Sequence, residues 1–543
     1  MKKDTLLLVE GLDPMPGKGF ANFQILQDSL ALCMSQKRPG LELPPGTYEI
    51  TNEKAQLLYA QLLSGEIASV DYTRWNLEKN VLLPVTGLDG FILNGNGATL
   101  LFDGLIQPAD CMDCRNLHIK NLCIDWKRPP YMTGTVASLQ GNRMEVTPAP
   151  NEMPLGGEPV VSFQNIDPVT CQPIGTCIFT GISNMELAGT GTVAVHCDEL
   201  EGMTPGDRII LRYLYSYASV LHFVNCSGIA IENVAICAGP GMGVIAHNCT
   251  DLTFTGYSVK PRDGRLMSTN ADATHFISCQ GAIRFEDCYF EAMGDDAANV
   301  HGFYLIIRER IDDFTVSAAL DVTTQDFLPD IPSVGDCMEF VKTDTLLPYE
   351  TGTIASVQQA HDSGQITLRF KESLPSSLHP GDALANTSKT ARLEFLRCHV
   401  KNIRGRAVLI QTRSALVKDC LFENCTGQGV HLDTSDGWWE SLGTRDIDII
   451  NNRFINCGYG TTKYCDAVGV VIETECETPA IGVHKNIRIT GNEIQGKNTG
   501  VAVACAENVT VSGNTFTGCR EEVTAHHTHG LQVFDNVFIP EDV

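Results

Sequence analysis

The 543-residue sequence predicts an all-β protein: a right-handed parallel β-helix with an N-terminal capping helix and two inserted small β-barrel domains. The first observation is a repeat, because Asn492, Asn514 and Asn536 follow one another at intervals of 22 residues. The second is that short Val- and Ile-rich segments, separated by Asn and Gly turns, recur along the chain. This period and composition are typical of one coil of a parallel β-helix.

The N-terminal part of the chain is predicted to contain a cap. Residues 22–34 carry apolar side chains at helical spacing, and a segment with a Pro-Pro-Gly turn follows at 41–48. Each coil of a solenoid packs only on its neighbours, so the first coil leaves an apolar end that needs a cover. One amphipathic helix over residues 22–34 is therefore expected to cap the stack.

Two segments interrupt the repeat and share sequence motifs. Both contain Thr-Gly-Thr-(Val/Ile)-Ala-Ser, at 133–138 and 351–356, and both contain Pro-Gly-Asp near their ends. They are predicted to be related β-barrels inserted into the helix, since insertions in solenoids emerge from turns and often wall a binding face. The predicted division is a cap with the first coils at 1–130, a barrel at 131–217, coils with candidate catalytic carboxylates at 218–302, a second barrel at 303–390 and the C-terminal coils at 391–543.

The charge balance narrows the class of partner. The chain has 39 Lys and Arg against 65 Asp and Glu, a formal net charge of −26. Nucleic-acid binding proteins usually show a clustered basic face, which this sequence lacks. An acidic protein of this kind suits a neutral or cationic partner better than a polyanion or an anionic membrane. The sequence therefore predicts no nucleic-acid partner, and it leaves the oligomeric state open.

The cysteines are numerous but regularly placed. Many of the 21 cysteines stand in Asn-Cys or Asp-Cys pairs before apolar segments, as at Asn225-Cys226 and Asp419-Cys420. Recurrence at one coil position predicts stacked, buried thiols that behave as small hydrophobic groups. Disulfide frameworks belong to small secreted domains, and the paired Cys-x₂-Cys spacing of a zinc site is not repeated here. No metal ion or other cofactor is predicted.

The termini and hydropathy bear on location. The apolar run that begins at Leu6 is too short for a signal peptide, and no segment reaches the length of a transmembrane helix. The chain as given is expected to be cytoplasmic and without a membrane span. A secreted protein whose leader had been trimmed would show the same sequence.

Three aspartates stand out as candidates for catalysis. Asp272 lies in Ser-Thr-Asn-Ala-Asp-Ala-Thr-His, and Asp295 and Asp296 lie in Met-Gly-Asp-Asp-Ala-Ala-Asn-Val-His-Gly. Asp272 and Asp295 are 23 residues apart, which is one coil, so they are predicted to stack at about 4.8 Å, with Asp296 further away. Solvated turn aspartates or a calcium site are the alternatives for an Asp-Asp pair.

Clustered carboxylates suit glycoside hydrolysis. Like charges repel, so at least one of the three should keep its proton to a higher pH than a free aspartate. Glycosidases need this division, with a protonated acid for the leaving oxygen and an ionised partner for water or the anomeric carbon. The sequence therefore predicts that Asp272, Asp295 and Asp296 are catalytic.

Several motifs resemble known enzymes. Asn270-x-Asp272, Gly294-Asp295-Asp296 and His301-Gly302 are similar to the carboxylate layout of polygalacturonases. A wider set of motifs resembles the family 110 glycoside hydrolases, bacterial α-1,3-galactosidases that remove the blood-group B galactose. The motifs span roughly residues 120 to 455: Ile-Asp-Trp-Lys-Arg-Pro-Pro at 124–130, the segments 270–276 and 293–302, Arg-Gly-Arg at 404–406, Gln-Thr-Arg at 411–413 and Gly-Trp-Trp-Glu-Ser at 437–441.

The resemblance implies an inverting, metal-independent, exo-acting enzyme on an α-galactoside glycan. It also implies that Asp295 is the general acid and that Asp272 and Asp296 activate water, although the sequence alone does not decide which aspartate is acid and which is base. Inverting pairs need roughly 6.5–9.5 Å between carboxyl groups, so acid and base are expected to be diagonal partners.

Residues near the trio are candidates for substrate binding. Aromatic rings stack on sugars, carboxylates accept hydrogen bonds from hydroxyl groups, and arginines and histidines bridge acids or bind hydroxyls. Core packing, surface exposure and solvated turns are the alternatives for these residue types. The candidates are Asp125, Trp126, Arg128, Asn270, His275, His301, Arg404, Arg406, Trp438, Trp439 and Glu440.

Three other functions remain as rivals. A polygalacturonase binds the carboxylate of its acidic sugar with a C-terminal Arg-x-Lys element. The corresponding Arg488-Ile489-Thr490 of this sequence lacks the lysine. A non-catalytic β-helix module would bind glycans without turnover. A pectate lyase would ordinarily need calcium and a basic residue beside its carboxylates.

Overall fold

The computed structural model describes most of the chain. The described residues are 5–66, 79–150, 152–179, 181–189, 191–200, 202–262, 264–320, 331–359, 365–460 and 467–540. They form the predicted right-handed parallel β-helix with two antiparallel insertions. No helix within these ranges is long and apolar enough to cross a membrane.

The N-terminal part contains a capping helix, as predicted. This helix, α1, covers the first coil with an inner face that includes Phe23, Leu26 and Leu30. A second helix, α2, begins at an Asn52 cap whose side chain accepts from the backbone N–H of Ala55. The elements are β1 (Leu7–Leu8), α1 (Gly19–Ser35), β2 (Gly40–Glu42), β3 (Thr47–Ile50), α2 (Glu53–Leu63), β4 (Val81–Thr86), β5 (Ile92–Phe102), β6 (Gln107–Met112) and β7 (Arg115–Trp126).

The first insertion is a seven-stranded antiparallel sheet with its own core. Its strand order is β11-β10-β14-β8-β9-β13-β12, and Met132, Phe163 and Leu211 are among the residues that fill its interior. Its strands are β8 (Tyr131–Gln140), β9 (Arg143–Pro148), β10 (Ser162–Ile166), β11 (Pro173–Ile178), β12 (Glu186–Leu187), β13 (Val193–His196) and β14 (Arg208–Arg212).

The helix then resumes for three coils and the first strand of a fourth. Strand β23 starts in the helix and runs on into the second insertion. The strands are β15 (Leu221–Val224), β16 (Ser227–Ile236), β17 (Val244–His247), β18 (Thr250–Thr255), β19 (Ser258–Val259), β20 (Thr274–Ile277), β21 (Gln280–Glu286), β22 (Tyr289–Glu291) and β23 (Ala298–Arg310).

The second insertion closes on itself as a barrel. Its antiparallel pairs run β23-β24-β27-β26-β25-β28 and return from β28 to β23, so every strand has two neighbours. The added strands are β24 (Thr315–Ala319), β25 (Cys337–Lys342), β26 (Leu347–Gln359), β27 (Gln365–Phe370) and β28 (Ala383–Asn386).

The C-terminal coils complete the solenoid. Their strands are β29 (Ala391–Leu396), β30 (His399–Lys401), β31 (Val408–Ile410), β32 (Arg413–Lys418), β33 (Leu421–Glu423), β34 (Val430–Leu432), β35 (Glu440–Ser441), β36 (Arg445–Ile450), β37 (Arg453–Ile455), β38 (Ala467–Ile472), β39 (His484–Thr490), β40 (Glu493–Gln495), β41 (Thr499–Ala504), β42 (Ala506–Ser512), β43 (Thr515–Thr517), β44 (Val523–His526), β45 (Gln532–Phe534) and β46 (Val537–Ile539).

Each coil gives one strand to each of three parallel rows. One coil, for example, supplies β20, β21 and β22, which pair with β17, β18 and β19 of the coil before. The row that contains β17, β20, β23, β31 and β34 is called the first row, and the row that contains β19, β22, β30 and β33 is called the third row. The turns that lead from the third row into the first row carry the candidate carboxylates.

Repeated buried residues hold the coils together. Phe254 stacks on Phe285 with ring centroids 4.6 Å apart, and Phe422 stacks on Phe454 at 5.0 Å. The asparagines at 22-residue spacing form a buried ladder, in which the Asn492 amide donates to the Asn514 Oδ1 at 2.9 Å. Every cysteine in the described ranges is a free thiol, and most are buried, as the sequence predicted.

Candidate active site

The candidate carboxylates lie in consecutive turns before the first row. Asp272 stands two residues before β20, and Asp295 and Asp296 stand just before β23. Arg404 and Arg406 occupy the same turn one coil later, before β31. The fold therefore brings three acids and two guanidinium groups from three coils to one edge of the first row.

The stacking differs from the one predicted. His275 pairs with Asn299, so this coil has 24 residues and Asp272 aligns with Asp296. The prediction that Asp272 stacks on Asp295, with Asp296 further away, was wrong. The additional residue lies in a bulge of β21, where the pairing with β18 shifts from Thr250–Gln280 to Leu252–Ile283. Asp295 is the displaced member of the three.

Asp295 is held as a carboxylate. Its Oδ2 accepts hydrogen bonds from Arg404 Nη1 and from the Tyr215 hydroxyl, each at 2.6 Å. Burial raises the pKa of Asp295, but the charges of Arg404 and Arg406 and the Tyr215 hydrogen bond outweigh it, and the pKa lies below its usual range. The side chain is 19% exposed. Asp295 is thus ionised at neutral pH and reachable from outside.

Asp296 is held by one arginine. Its Oδ1 accepts from the Arg406 backbone N–H and Nε, and its Oδ2 accepts from Arg406 Nη2 at 2.7 Å. Burial raises the pKa of Asp296 to about 6, while the Arg406 charge lowers it. Both oxygens of this carboxylate are therefore occupied by a charge-assisted pair.

Asp272 has the environment of a proton carrier. It is 5% exposed, and its Oδ2 lies 2.7 Å from His275 Nδ1. Burial raises the pKa of Asp272 well above its usual range, and the negative charge of Asp295 raises it further. The surroundings of the three aspartates therefore favour a proton on Asp272 and charge on Asp295.

A buried histidine pair supports Asp272. His275 Nε2 and His301 Nε2 are 2.8 Å apart, and His301 Nδ1 donates to the Gly302 carbonyl at 2.9 Å. The sequence predicted that both histidines bind substrate, but both are buried, and His275 contacts both Asp272 and His301. They support the acid from inside the fold.

The same histidines and Glu440 have a spacing that metal sites also use, since their donor atoms lie within 4.8 Å of one another. The two ring nitrogens, however, are at hydrogen-bond distance. A tetrahedral zinc with Zn–N bonds of about 2.0–2.1 Å would hold them about 3.3 Å apart. The geometry favours a hydrogen-bonded pair.

The first insertion contributes residues that the sequence reading missed. Arg212 is buried, donates from Nη1 to the Asn270 carbonyl at 2.7 Å and lies over the Tyr215 ring at 5.1 Å. Phe179 lies 5.3 Å from the Arg212 guanidinium and 5.2 Å from that of Arg404. The position of Arg212 directly after the apolar run 209–211 could have identified it as a buried charge. The coil spacing gave no indication that Tyr215 belongs to the site.

Asn270 is a structural residue. The prediction that it binds substrate was wrong, because it is completely buried and its amide donates to the Leu214 carbonyl at 2.8 Å. Its own carbonyl accepts from Arg212, which joins the Asp272 turn to the first insertion.

The opposite side of the site carries Glu440. Its Oε1 lies 3.8 Å from His301 Nε2, and its Oε2 accepts from Gln411 Nε2 at 2.6 Å. Burial raises the pKa of Glu440, but the two neighbouring histidines, the Gln411 hydrogen bond and Arg406 together outweigh it and leave the pKa below its usual range. Trp439 is half-buried, whereas Trp438 is 49% exposed and offers a ring to a ligand.

Three predicted substrate ligands lie elsewhere. Trp126 is 1% exposed and stacks on Phe102 with centroids 5.0 Å apart, so its ring has no free face for a sugar. Asp125 is fully buried and pairs with Arg262 and Arg265. These two predictions were wrong. The third, Arg128, pairs at 2.7 Å with the buried Glu158, and lies over the Tyr59 ring.

Comparison with known proteins bears on the family. A family model described as GLAA-B beta-barrel domain II matches residues 330–384, and one described as Periplasmic copper-binding protein (NosD) matches residues 461–542. Among solved structures, the chain aligns with an exopolygalacturonase from Thermotoga maritima at a TM-score of 0.43 and 8% identity, covering 95% of this chain and 87% of that one.

Sequence relatives share one name. Alpha-1,3-galactosidase B from Parabacteroides distasonis is 25% identical over 573 residues, covering 97% of this chain and 89% of the relative. Alpha-1,3-galactosidase A from Akkermansia muciniphila is 34% identical over 283 residues, covering 51% of this chain and 46% of the relative. The chain is therefore a relative of the proteins named alpha-1,3-galactosidase, which confirms the resemblance to this family that its motifs indicated.

Proposed function

We propose that the chain is an exo-acting, inverting α-1,3-galactosidase that releases terminal α-1,3-linked galactose from glycans such as the blood-group B antigen. Relatives named alpha-1,3-galactosidase support a glycoside hydrolase and a galactosidase. The observation that carries the proposal is one carboxylate cluster in which Arg404 and Tyr215 hydrogen-bond Asp295 while Asp272 is buried against His275. These surroundings lower the pKa of Asp295 and raise that of Asp272, and glycoside hydrolysis needs an ionised base and a protonated acid together.

The electrostatics favour Asp272 as the acid and Asp295 as the base. The family resemblance implied the opposite role for Asp295, but Arg404 and the Tyr215 hydroxyl stabilise its ionised form. Asp272 gives its proton to the glycosidic oxygen as the bond from that oxygen to C1 breaks. Asp295 takes a proton from a water molecule whose oxygen bonds to C1 from the opposite face. The products are β-galactose and the free hydroxyl of the leaving sugar.

The surrounding elements support exo action. Tyr215, which follows the last strand of the first insertion, contacts Asp295 on one side. On the other side β35, which carries Glu440, pairs antiparallel with β23 at the start of the second insertion. Contacts from elements next to both insertions suit a pocket that closes around the end of a glycan, whereas a groove open at both ends would suit an internal bond.

The charges support a neutral substrate. Arg404 and Arg406 pair with Asp295 and Asp296, so their charge is already matched by the catalytic acids. A galacturonate carboxylate would enter a cluster that is already acidic and would meet like charge. The polygalacturonase rival therefore has less support than a galactoside.

A hydrolysis assay on three substrates tests this proposal. Linear α-1,3-galactosyl disaccharide, branched B trisaccharide and polygalacturonate are each incubated with the chain, and free galactose or galacturonate is measured. Release of galactose from at least one galactoside is expected. Release of galacturonate alone would favour the polygalacturonase rival, an unsaturated product would indicate a lyase, and binding without turnover would favour a non-catalytic module.

Gly405→Ala is expected to disturb the cluster without replacing a catalytic side chain. A Cβ at Gly405 would lie 2.9 Å from the Asp295 backbone carbonyl carbon, 2.9 Å from Asp296 Oδ1 and 3.0 Å from Asp295 Oδ1, so the turn that carries these two aspartates must shift. Misplacement of about 1 Å costs up to about 100-fold in rate, and kcat/KM is expected to fall by about 10- to 100-fold.

The matched control for this change is Gly381→Ala in the second insertion. Gly381 also has a positive φ, +96° against +138° at Gly405, but a Cβ there meets nothing within 4 Å. The control should lose some stability and keep its turnover. Equal turnover of Gly405→Ala and wild type would show that the space beside the two carboxylates is unimportant.

A further inference from the structure

We propose that Tyr215 is a positioning residue for the base Asp295, so that the first insertion takes part in catalysis as well as walling the site. The inference rests on the proposed function for its kinetic consequences. Its structural part, the control of the Asp295 carboxylate by a hydroxyl group from the insertion, stands on contacts alone.

Tyr215 is fixed from three directions. It follows the last strand of the first insertion, β14, and its buried ring packs with Val161 and with Ala271, the residue before Asp272. The Arg212 guanidinium lies 5.1 Å from the ring centroid, a distance at which cation–π attraction is significant. The ring therefore has little freedom, and its hydroxyl reaches Asp295 in a set direction.

The hydroxyl selects which oxygen of Asp295 does the chemistry. Oδ2 accepts from both Tyr215 and Arg404 at 2.6 Å. Oδ1 faces the side where Gly405 lacks a Cβ, since a Cβ there would lie 3.0 Å from it. Two donors on Oδ2 leave Oδ1 as the oxygen that meets the water molecule. Without the hydroxyl, the carboxylate keeps only one of these two anchors.

The same hydroxyl stabilises the ionised form of Asp295. Arg404 and Arg406 act in the same direction from the turn before β31, and Arg212 acts so from the first insertion. Asp272 and Asp296 face the group as neighbouring acids. Because a hydrogen bond to the carboxylate favours that form, its removal raises the pKa of Asp295. A base works only when ionised, so the acidic limb of the pH–rate profile should move to higher pH.

The test compares Tyr215→Phe with Tyr131→Phe. Tyr131 is a buried tyrosine of the same insertion whose hydroxyl donates to the Met267 carbonyl at 2.5 Å, so the control also loses one buried hydrogen bond. For Tyr215→Phe, kcat on the galactosyl disaccharide should fall about 10- to 100-fold, with KM within about threefold and the acidic limb shifted upward. The control should show neither change.

A second readout separates this proposal from the proposed function. The Asp295 carboxyl is titrated by carbon NMR in protein labelled at aspartate, with Asp295→Asn used to assign the signal. Tyr215→Phe should raise the titration midpoint of Asp295, whether or not the chain hydrolyses galactosides. An unchanged midpoint together with an unshifted pH–rate profile would overturn the role of Tyr215. A wild type inactive on every galactoside, with the midpoint shift present, would overturn the proposed function and leave the positioning of Asp295 standing.

Discussion

Asp272→Asn is expected to lose about 10²- to 10⁴-fold in kcat/KM on an α-1,3-linked galactosyl disaccharide, the range that general acid catalysis contributes. A sugar alkoxide is a poor leaving group, so the bond breaks slowly unless the oxygen is protonated. An aryl α-galactoside with a 4-nitrophenyl group leaves without that proton. The loss on the aryl substrate should therefore be smaller by at least about tenfold.

Asparagine is a suitable replacement at this position. Its amide can donate to His275 Nδ1 at the place where the protonated Asp272 lies at 2.7 Å, so the buried contact is preserved. The melting temperature should stay close to that of the wild type. An equal loss on the disaccharide and on the aryl galactoside would show that Asp272 is not the acid.

Asp295→Asn is expected to have the largest effect of any single change, because it removes the base needed for every substrate. Turnover should fall by about 10³-fold or more on the disaccharide and on the aryl galactoside alike, within the range of base catalysis. Azide needs no deprotonation, so added azide should restore turnover of the aryl substrate. Attack from the face opposite the leaving group would give β-galactosyl azide.

The azide product also controls for misfolding. Arg404 loses its charged partner in this variant, and because the pair is only partly buried the loss of stability should be smaller than the loss of about 3–5 kcal/mol for a fully buried pair. A misfolded protein would form no azide adduct, so a β-azide product identifies a folded site that lacks only its base. An α-galactosyl azide, or full hydrolysis without azide, would contradict the role of Asp295.

Much of the fold could be predicted because each coil of a solenoid repeats the same packing and hydrogen bonds as the coil before it. The asparagine ladder at 492, 514 and 536 shows the coil length directly, since the side-chain amides of Asn492 and Asn514 each hydrogen-bond to the asparagine one coil later. The coil register near the site could not be read in this way. One additional residue at the bulge in β21 changed the partner of Asp272 from Asp295 to Asp296, and the spacing of the asparagines does not reveal a bulge in another coil.

The site could be predicted only in part. The local spacing of Asp272, Asp295 and Asp296 was enough to find the cluster, since one coil brings them together. Tyr215 is 80 residues from Asp295 in the sequence and belongs to the first insertion. The coil repeat does not predict how this insertion packs against the helix, so the contact could not be foreseen. The wrong prediction that Trp126 binds substrate could have been avoided from the sequence. Leu122, Ile124 and Trp126 occupy alternate positions of β7, which point to its inner face, and all three are buried.

A proton NMR time course of disaccharide hydrolysis tests the proposed chemistry most directly. An acid on one side of the bond and a base that delivers water from the other face must release β-galactose first, with the α anomer growing only through mutarotation. Initial release of α-galactose would contradict this arrangement of Asp272 and Asp295, and it would require a covalent intermediate on one of these carboxylates instead.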